Sequence, residues 1–247
     1  MRGEIRLIPL RGLPEIEDGD DLTGLLADAA EGAGGLEDAD VVVVAQKAVS
    51  KAEGRVVRLE ELEPSAQALA LAQDRDPRHV EAILRESVRV IRVRPPLIIV
   101  ETRHGFVCAS AGVDASNAKG EGTLILLPVD PDASAERIRS GLRERTGRDI
   151  GVVVSDSFGR PFRQGTTDVA LGVAGLRPLR DLRGVRDRWG YELQSTQIAV
   201  ADELASAAEL AMGKVEDVPA VVIRGVDFRG EGAAAEIVIP EERDLFR

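Results

Sequence analysis

Three segments of this chain place polar and charged side chains directly after runs of apolar residues. In the first, residues 41–55 (VVVVAQKAVSKAEGR), a valine run is followed by Gln46, Lys47, Ser50 and Lys51. Two ammonium groups just beyond the end of a strand could bind phosphate groups. The same two lysines could also lie in solvent at the start of a helix, and the residue types alone leave both interpretations open.

The second segment, residues 108–122 (CASAGVDASNAKGEG), combines small residues with hard oxygen ligands. Small side chains let the backbone approach a ligand closely. Asp114 and Asn117 carry oxygen atoms of the kind that Mg²⁺ or Mn²⁺ prefers. The alternative is an Asx turn in which Asp114 binds nearby backbone. The segment therefore predicts either a metal ligand or a local turn.

The third segment, residues 152–168 (VVVSDSFGRPFRQGTTD), places Asp156 at the end of an apolar run, directly before Ser157. A carboxylate next to a hydroxyl could share a magnesium ion with it. Arg160 and Arg163 follow, and a guanidinium group can bind phosphate or carboxylate in a bidentate manner. A structural loop rarely combines these groups so densely, so the segment favours a functional role. Two carboxylates with phosphate-binding cations indicate metal-assisted phosphoryl transfer.

Composition limits the other classes of function. The chain has 247 residues and a formal net charge of −11, which gives it no general attraction for nucleic acid. The single cysteine, Cys108, cannot form an internal disulfide, fits a reducing cytoplasm, and is predicted to be a small buried apolar residue. Only His79 and His104 are available, which argues against a histidine-based zinc site.

Neither a signal peptide nor a membrane span is expected, because charges interrupt the N-terminal apolar runs and the longest runs are too short. The common nucleotide-binding motifs are absent as well. The sequence contains no G-x-x-x-x-G-K-[ST] motif, and Gly120-Glu121-Gly122 is a lone G-x-G that predicts a turn. Any nucleotide site must therefore be of a less common kind.

The elements that must position these segments are strands and helices in mixed order, which favours an α+β fold with mixed, largely antiparallel sheets and flanking helices. Strands are predicted at residues 5–10, 41–45, 88–93, 97–101, 106–110, 124–127, 150–155, 169–173 and 220–223. The continuous apolar run at 41–45 is predicted to be buried on both faces, and His104-Gly105 is predicted to form a hairpin turn between the strands at 97–101 and 106–110. Asp21 is predicted to cap a helix that ends at Gly32 or Gly34, and residues 64–87 are predicted to form two helices with a break near Asp76-Pro77. A further helix is predicted up to Arg145 from a cap at Asp132 or Ser134, with Gly147 as its stop. The longest helix is predicted at 196–212, with Leu204 and Ala208 on one helical stripe. A polar loop is predicted at residues 156–167.

At the three segments the chain closely resembles the coenzyme F420:L-glutamate ligase family, and the resemblance runs nearly from end to end. The strings that carry it are VSKAEGR (49–55), AGVDASN (111–117), LPVDPDASAERIRSGLRER (127–145), SDSFGRPFRQGTTD (155–168), GVRDRWGYEL (184–193), VADELASAAELAMGK (200–214) and PAVVIRG (219–225). So many matches in order are more specific than any single motif.

The resemblance implies a GTP-dependent ligase that phosphorylates the terminal carboxylate of the F420 precursor and then lets the amine of L-glutamate displace phosphate. It implies two divalent ions, Mg²⁺ or Mn²⁺, bound by Asp114, Asp156 and Ser157, with K⁺ as a further candidate ion. The positions matching the family's GTP contacts are Leu13, Pro14, Glu15, Ile16, Gln46, Lys47, Lys51, Asn117, Met212, Gly213 and Lys214. As hypotheses for catalysis, Lys51 offsets the repulsion between anionic reactants, and Arg160 or Arg163 orients an acidic group of the substrate.

The resemblance also implies an intertwined homodimer of an unusual α+β fold. Residues 1–247 are expected to form a single functional unit, without the flavin-binding domain that some bacterial relatives carry. Three positions depart from the family pattern. Ser157 stands where the family usually has threonine, which retains the hydroxyl, and Gln46-Lys47 replaces two small hydroxyl residues, which puts the nucleotide contact there in doubt.

Three other functions remain open at this point. The first is a ligase of the same fold with a different acidic acceptor, whose nucleotide site would look the same. The second is a non-catalytic scaffold of the coenzyme pathway, and the third is a structural oligomer. The presence of Asp114, Asp156 and Lys51 argues against the scaffold, because a binding protein has no need of metal-binding carboxylates.

Overall fold

The computed structural model describes residues 3–245. The strands are β1 (Arg6–Leu10), β2 (Val41–Ala45), β3 (Val56–Arg58), β4 (Ser87–Arg94), β5 (Leu97–Thr102), β6 (Val107–Ala109), β7 (Thr123–Ile125), β8 (Gly151–Gly159), β9 (Thr166–Ala174), β10 (Leu179–Asp181), β11 (Gln197–Ala199) and β12 (Ala220–Arg224). The α-helices are α1 (Leu22–Gly32), α2 (Gln46–Ala52), α3 (Ala66–Ala72), α4 (Pro77–Arg85), α5 (Pro131–Thr146) and α6 (Val200–Met212). Short 3₁₀ turns lie at Leu59–Glu61, Ser110–Gly112, Ala234–Glu236 and Glu241–Arg243. This arrangement confirms the predicted α+β class.

The main sheet has five strands in the order β1-β12-β2-β8-β9. Strands β2 and β8 are parallel, and the other neighbouring strands are antiparallel. The valine run of β2 lies at the centre, so alternate side chains contribute to opposite faces. Val42 and Val44 join one hydrophobic core, and Val41 and Val43 join the other. The prediction that this run is buried on both faces is confirmed.

Helices cover both faces of the main sheet. Leu26 of α1 and Leu142 of α5 pack in the core on one face. On the other face, Leu204 and Ala208 of α6 pack against the sheet, as their helical spacing predicts. The result is a three-layer unit whose sheet presents the ends of β2 and β8 to the same side, since parallel strands point in the same direction.

A third, smaller hydrophobic core lies beside this unit. It combines the antiparallel sheet β4-β5-β6 with α3, α4 and β7, and its buried side chains include Ile83, Ile98 and Leu124. The hairpin turn predicted at His104-Gly105 joins β5 to β6. The ring of Phe106 meets Phe158 of β8 edge-on at a centroid distance of 6.3 Å. The small sheet thereby packs against the strand that carries Asp156.

The polar loop predicted at residues 156–167 is instead mostly a β-hairpin. β8 continues to Gly159 and β9 begins at Thr166, and Ser157 pairs with Asp168 across the two strands. The prediction was wrong because it treated polar residues as loop residues. Here the side chains of Ser157 and Asp168 bond to each other across the hairpin and so satisfy their polar groups.

Two helix boundaries also differ from the prediction. Asp130 caps α5 with its side chain on the N–H of Ala133, and Pro131 occupies the first turn, where its missing N–H costs nothing. Helix α6 begins only at Val200, because residues 197–199 pair with β10 as a strand, so α5 is longer than α6. In residues 3–245, no helix is both long enough and apolar enough to cross a bilayer.

Candidate active site

The first and second polar segments meet through Lys47 and Asp114. Lys47 lies in the first turn of α2, just past β2, and its Nζ is 2.6 Å from Oδ2 of Asp114. The same ammonium group donates to Oγ of Ser116 at 2.5 Å and to its carbonyl oxygen at 3.1 Å. The two segments are more than sixty residues apart in sequence, so the fold alone brings these charges together.

The backbone around Asp114 is fixed by pairing with β7. Asp114 and Ile125 exchange two backbone hydrogen bonds of 3.1 and 2.8 Å. The carboxylate also accepts hydrogen bonds from the N–H and the hydroxyl of Ser116, both at 2.8 Å. The Asx turn left open by the sequence is therefore present, together with the contact to Lys47. Although burial alone would raise the pKa of Asp114, the donors from Lys47 and Ser116 lower it overall.

The small residues before Asp114 are also required for packing. Gly112 has a φ of +69°, and a Cβ atom there would lie 2.7 Å from the side chain of Leu127. Cys108 is buried, as predicted, and burial raises the pKa of its thiol to about 12, with a further contribution from the charge of Asp156. A thiol that stays protonated is a poor nucleophile.

Asp156 on β8 brings the third segment into the same site. Burial raises the pKa of its carboxyl to about 7, against the stabilising N–H of Ser157 and charge of Lys47. The negative charges of Asp168 and Asp114 raise this pKa further. Asp114, Asp156 and Lys47 therefore share one electrostatic environment, although the chain delivers them from three separate segments.

Ser157 lies next to Asp156 but makes its contacts with a different group. Its hydroxyl donates to Oδ1 of Asp168 at 2.6 Å, and the Oγ of Ser155 donates to Oδ2 at 3.1 Å. Lys214, just past the end of α6, donates to Oγ of Ser157 and lies 3.8 Å from Oδ1 of Asp168. Because successive side chains of a strand point to opposite faces, Asp156 and Ser157 present their oxygens in different directions.

Asp168 is a charged residue of this region that the sequence analysis did not identify. It is only 4% exposed. Its position within the polar string gave no reason to single it out while the string was treated as a loop. A hairpin prediction with Ser157 opposite Asp168 would have identified it, since directly opposed side chains interact.

Lys51 and Lys119 both pair with glutamates of the loop at residues 13–17. Lys51, on α2, pairs with Glu15 at 2.5 Å, and Lys119 pairs with Glu17 at 2.6 Å. The pKa of Lys119 is raised mainly by Glu17 and also by the charge of Glu15. These contacts join the loop at residues 13–17 to α2 and to the loop that follows Asp114.

Lysine is scarce in this chain. Of 32 basic residues only four are lysines, namely Lys47, Lys51, Lys119 and Lys214. Elsewhere, ion pairs use arginine. A lysine ammonium is a compact charge with three rotatable donors, whereas a guanidinium is a rigid fork. Rotatable ammonium donors suit the scattered oxygen atoms of a polyphosphate better than a rigid fork does.

The other predicted nucleotide positions are distributed around this network. Leu13 and Pro14 line a cavity of about 500 Å³ together with residues of α1. The side chains of Ile16 and Met212 are buried in the two cores of the main unit, so only their backbones are available to a ligand. Asn117 is exposed and has a φ of +56°.

Two further predicted nucleotide positions, Gly213 and Gln46, and the predicted substrate-orienting residue, Arg160, complete the set. Gly213, with a φ of +63°, ends α6 directly before Lys214. Gln46 is 1% exposed, its Oε1 accepts from Ser50 at 2.9 Å, and its Nε2 has no hydrogen-bond partner within residues 3–245. Arg160 lies in the exposed turn between β8 and β9, where its Nη2 is 3.4 Å from the carbonyl oxygen of Gln164.

The chemistry of the donors fits a hard divalent cation. Asp114, Asp156 and Ser157 offer carboxylate and hydroxyl oxygens, which suit Mg²⁺ or Mn²⁺ better than softer metals. In the part of the chain that the structure describes, no three His, Cys, Asp or Glu side chains group as a metal site. A cation here must therefore complete its coordination with the serine hydroxyl, water or oxygens of a bound ligand.

Comparison with known proteins supports the resemblance seen in the sequence. The family model described as F420-0:Gamma-glutamyl ligase matches residues 12–225. The coenzyme F420:L-glutamate ligase of Methanothermobacter thermautotrophicus is 49% identical over 98% of this chain and 99% of its own length. The corresponding ligases of Methanopyrus kandleri and Archaeoglobus fulgidus are 47% and 43% identical, over 98% of this chain and 98% and 96% of their own lengths. This chain belongs to the F420-0:gamma-glutamyl ligase family.

Proposed function

We propose that this chain uses GTP to join L-glutamate to the coenzyme F420 precursor, F420-0, through an acyl-phosphate intermediate, adding one or more glutamates. Three relatives of nearly the same length are named for this ligation. The observation that carries the proposal is the meeting of Asp114, Asp156 and Lys47 in one charged site.

A carboxylate resists attack by an amine because its negative charge repels nucleophiles and it has no good leaving group. Transfer of the terminal phosphoryl group of GTP to a carboxylate oxygen breaks the bond between the β- and γ-phosphates, releases GDP and creates that leaving group. The amine nitrogen of glutamate then forms the amide bond, and the C–O bond to phosphate breaks. Both substrates of the first step are anions, so the protein must supply positive charge where they meet.

Asp114, Asp156 and Ser157 would together hold two divalent ions. Such ions would stabilise the charge that develops on the phosphate oxygens. Lys47 and Lys51 are placed to bind the triphosphate. Each is already paired with a carboxylate, Lys47 with Asp114 and Lys51 with Glu15, so GTP must compete with these contacts. Lys214 would act in the same way beside Ser157.

Arg160 is proposed to orient an acidic group of the acceptor or of glutamate. It lies in the exposed turn of the hairpin whose strands carry Asp156 and Ser157, so a small movement of the turn would change its distance to the site. The guanidinium group suits a carboxylate because it can form two parallel hydrogen bonds. The Nε2 of Gln46, next to Lys47 in the sequence, has no hydrogen-bond partner within residues 3–245 and is proposed as an additional donor.

We further propose that the chain functions as a homodimer in the cytoplasm, without nucleic-acid or membrane partners. Large apolar side chains are exposed near the end of α6 and in the segment at residues 184–193. Leu210 and Val215 are 84% and 85% exposed, and Trp189 is 79% exposed. Burial of such side chains against a second copy would remove their contact with water. Light scattering with the purified chain tests this assembly.

The test of the activity is a product-mass assay. The protein is incubated with F420-0, GTP, Mn²⁺ and L-glutamate, and the deazaflavin product is analysed by mass spectrometry. We expect product heavier by one or more glutamyl groups, dependent on GTP and absent with Asp156→Asn. GTP hydrolysis without glutamylated product would contradict this acceptor and support a ligase of the same fold acting on another acid. No nucleotide turnover with any acid would support the scaffold.

A further inference from the structure

The carboxylate of Asp168 is held in one position from several sides. Its Oδ2 accepts from Ser155 at 3.1 Å and its Oδ1 from Ser157 at 2.6 Å. Its backbone carbonyl accepts from Oγ of Ser206 on α6 at 2.8 Å, which fixes β9 against that helix. A side chain that is 4% exposed and anchored in this way has little freedom to move.

This arrangement determines how the hydroxyl of Ser157 can interact. A serine hydroxyl has one proton to donate and two lone pairs that accept. The short bond to Asp168 uses the proton, so every further contact of Oγ must be through a lone pair. Lys214 makes such a contact by donating to this oxygen. A positively charged group is thus already bound to the accepting side of the hydroxyl.

We propose that Asp168 is a positioning residue that holds the hydroxyl of Ser157 with its lone pairs toward the bound cation. The inference rests on the metal role proposed above for Ser157 and adds a residue to which no role has been assigned. A carboxylate behind a metal-binding side chain commonly fixes its orientation and strengthens it as a ligand. Asp168 acts here on a serine hydroxyl, through the 2.6 Å bond.

The Asp168→Asn variant no longer fixes the orientation of the Ser157 hydroxyl, and it changes the volume of the side chain little. The amide has one acceptor oxygen where the carboxylate has two, and its NH₂ group can donate to the Oγ of Ser157. Either Ser155 or Ser157 then loses its acceptor. Partners of this kind typically contribute tenfold to a hundredfold in metal affinity, so we expect Mn²⁺ to bind about tenfold more weakly.

The experiment is a double-mutant cycle on Mn²⁺ affinity. Free Mn²⁺ is measured by electron paramagnetic resonance in the presence of a non-hydrolysable GTP analogue, for the wild type, Asp168→Asn, Ser157→Ala and the double variant. If Asp168 acts through Ser157, Asp168→Asn costs about tenfold with Ser157 present and less than about twofold in the Ser157→Ala background. A purely structural carboxylate would cost the same in both backgrounds.

Asp202→Asn is the matched control. Asp202 lies on α6 and its Oδ1 accepts from the backbone N–H of Ala170 at 2.9 Å, on the same strand as Asp168. The substitution removes one negative charge beside β9 and leaves the hydroxyl of Ser157 with its partners. Mn²⁺ affinity should therefore be unchanged. A loss equal to that of Asp168→Asn would show that general charge or strand stability is responsible, and would overturn the inference.

The remaining outcomes separate this inference from the proposed function. If Ser157→Ala leaves Mn²⁺ affinity unchanged, the metal role of Ser157 fails and the inference fails with it. If Ser157→Ala weakens binding but a folded Asp168→Asn does not, only the inference fails. Should Asp168→Asn not fold, Ser155→Ala replaces it, since it frees one oxygen of the carboxylate. We expect a few-fold loss that disappears without Ser157, and equal losses in both backgrounds would refute the inference.

Discussion

Glu81 in the smaller core and Asp156 in the candidate site are both carboxylates held away from solvent, and their pKa values are shifted in opposite directions. The Nε of Arg85 donates to Glu81 at 2.8 Å and the N–H of Ser65 at 3.0 Å, and these donors lower the pKa of Glu81 to about 2. Burial raises the pKa of Asp156 to about 7, and the neighbouring charge of Asp168 adds to the effect. The fold supplies Glu81 with hydrogen-bond donors and an ion pair, whereas the positive charge near Asp156 does not offset its burial.

The difference separates a stabilising charge from a functional one. Glu81 contributes to folding because its ionised form has its partners within the chain. Asp156 has no ion pair within residues 3–245, and burial disfavours its ionised form, so the folded protein carries an energetic cost that a bound cation would offset. Groups with such raised pKa values cluster at functional sites. Substitution should therefore affect activity at one residue and stability at the other.

Asp156→Asn should have the largest effect and on activity alone. We expect GTP-dependent ligation to fall by at least about a thousandfold, or about 4 kcal/mol, because one cation loses its anionic ligand. The melting temperature at pH 8 should not decrease, since the variant no longer places a poorly compensated charge in the site. Near-normal turnover in Asp156→Asn would falsify the metal assignment.

The next effect is stabilisation of the wild type by the ligands. Mn²⁺ with a non-hydrolysable GTP analogue, at a hundred times its dissociation constant, should stabilise the folded state by about 2.7 kcal/mol. Thermal unfolding with and without ligands measures this shift. Removal of the metal with a chelator should reverse it, and Asp156→Asn should show much less of it. An equal shift in both proteins would mean that the nucleotide binds independently of Asp156.

Glu81→Gln, unlike Asp156→Asn, should reduce stability and leave activity unchanged. We expect a loss in the free energy of unfolding of about 2 kcal/mol and normal ligation. Arg85 and the N–H of Ser65 would keep a weaker, uncharged partner. For a chain of this size the melting temperature should fall by several degrees. Activity per folded molecule should be retained, which is the control. A loss of ligation with normal stability would contradict a purely structural role of Glu81.

The pH dependence of stability provides a second test of Glu81. Its pKa is lower in the folded state than in the unfolded state, so the unfolded chain binds more protons between the two values. The stabilisation is present above about pH 4.5 and is lost as the pH falls toward about 2. Denaturant unfolding across this window should show a flatter pH dependence in Glu81→Gln than in the wild type.

Lys51→Ala should have the smallest effect of the series. We expect the apparent KM for GTP to rise about tenfold, equivalent to about 1.4 kcal/mol, because one charge opposite the triphosphate is lost. Arg137→Ala, which also removes a cation paired to a glutamate, Glu53, is the matched control and should leave KM unchanged. An unchanged GTP dependence in Lys51→Ala would remove Lys51 from the site.

The sequence by itself determined the local elements and the segments that carry the chemistry. The valine run of β2 predicted a strand buried on both faces, and Asp21, Asp76 and Gly147 marked helix ends that the structure confirms. These features depend on neighbours within a few residues, so residue types and spacing are sufficient. Ordered strings along the whole chain were enough for the family.

Only the tertiary structure decided which charged groups meet and on which side of a strand. Lys47 reaches Asp114 and Lys51 reaches Glu15 across long stretches of chain. Asp168 became a partner of Ser157 only when the supposed loop proved to be a hairpin. Whether a carboxylate finds a donor, as Glu81 does, or remains undercompensated, as Asp156 does, depends on packing between distant segments. No local pattern contains that information.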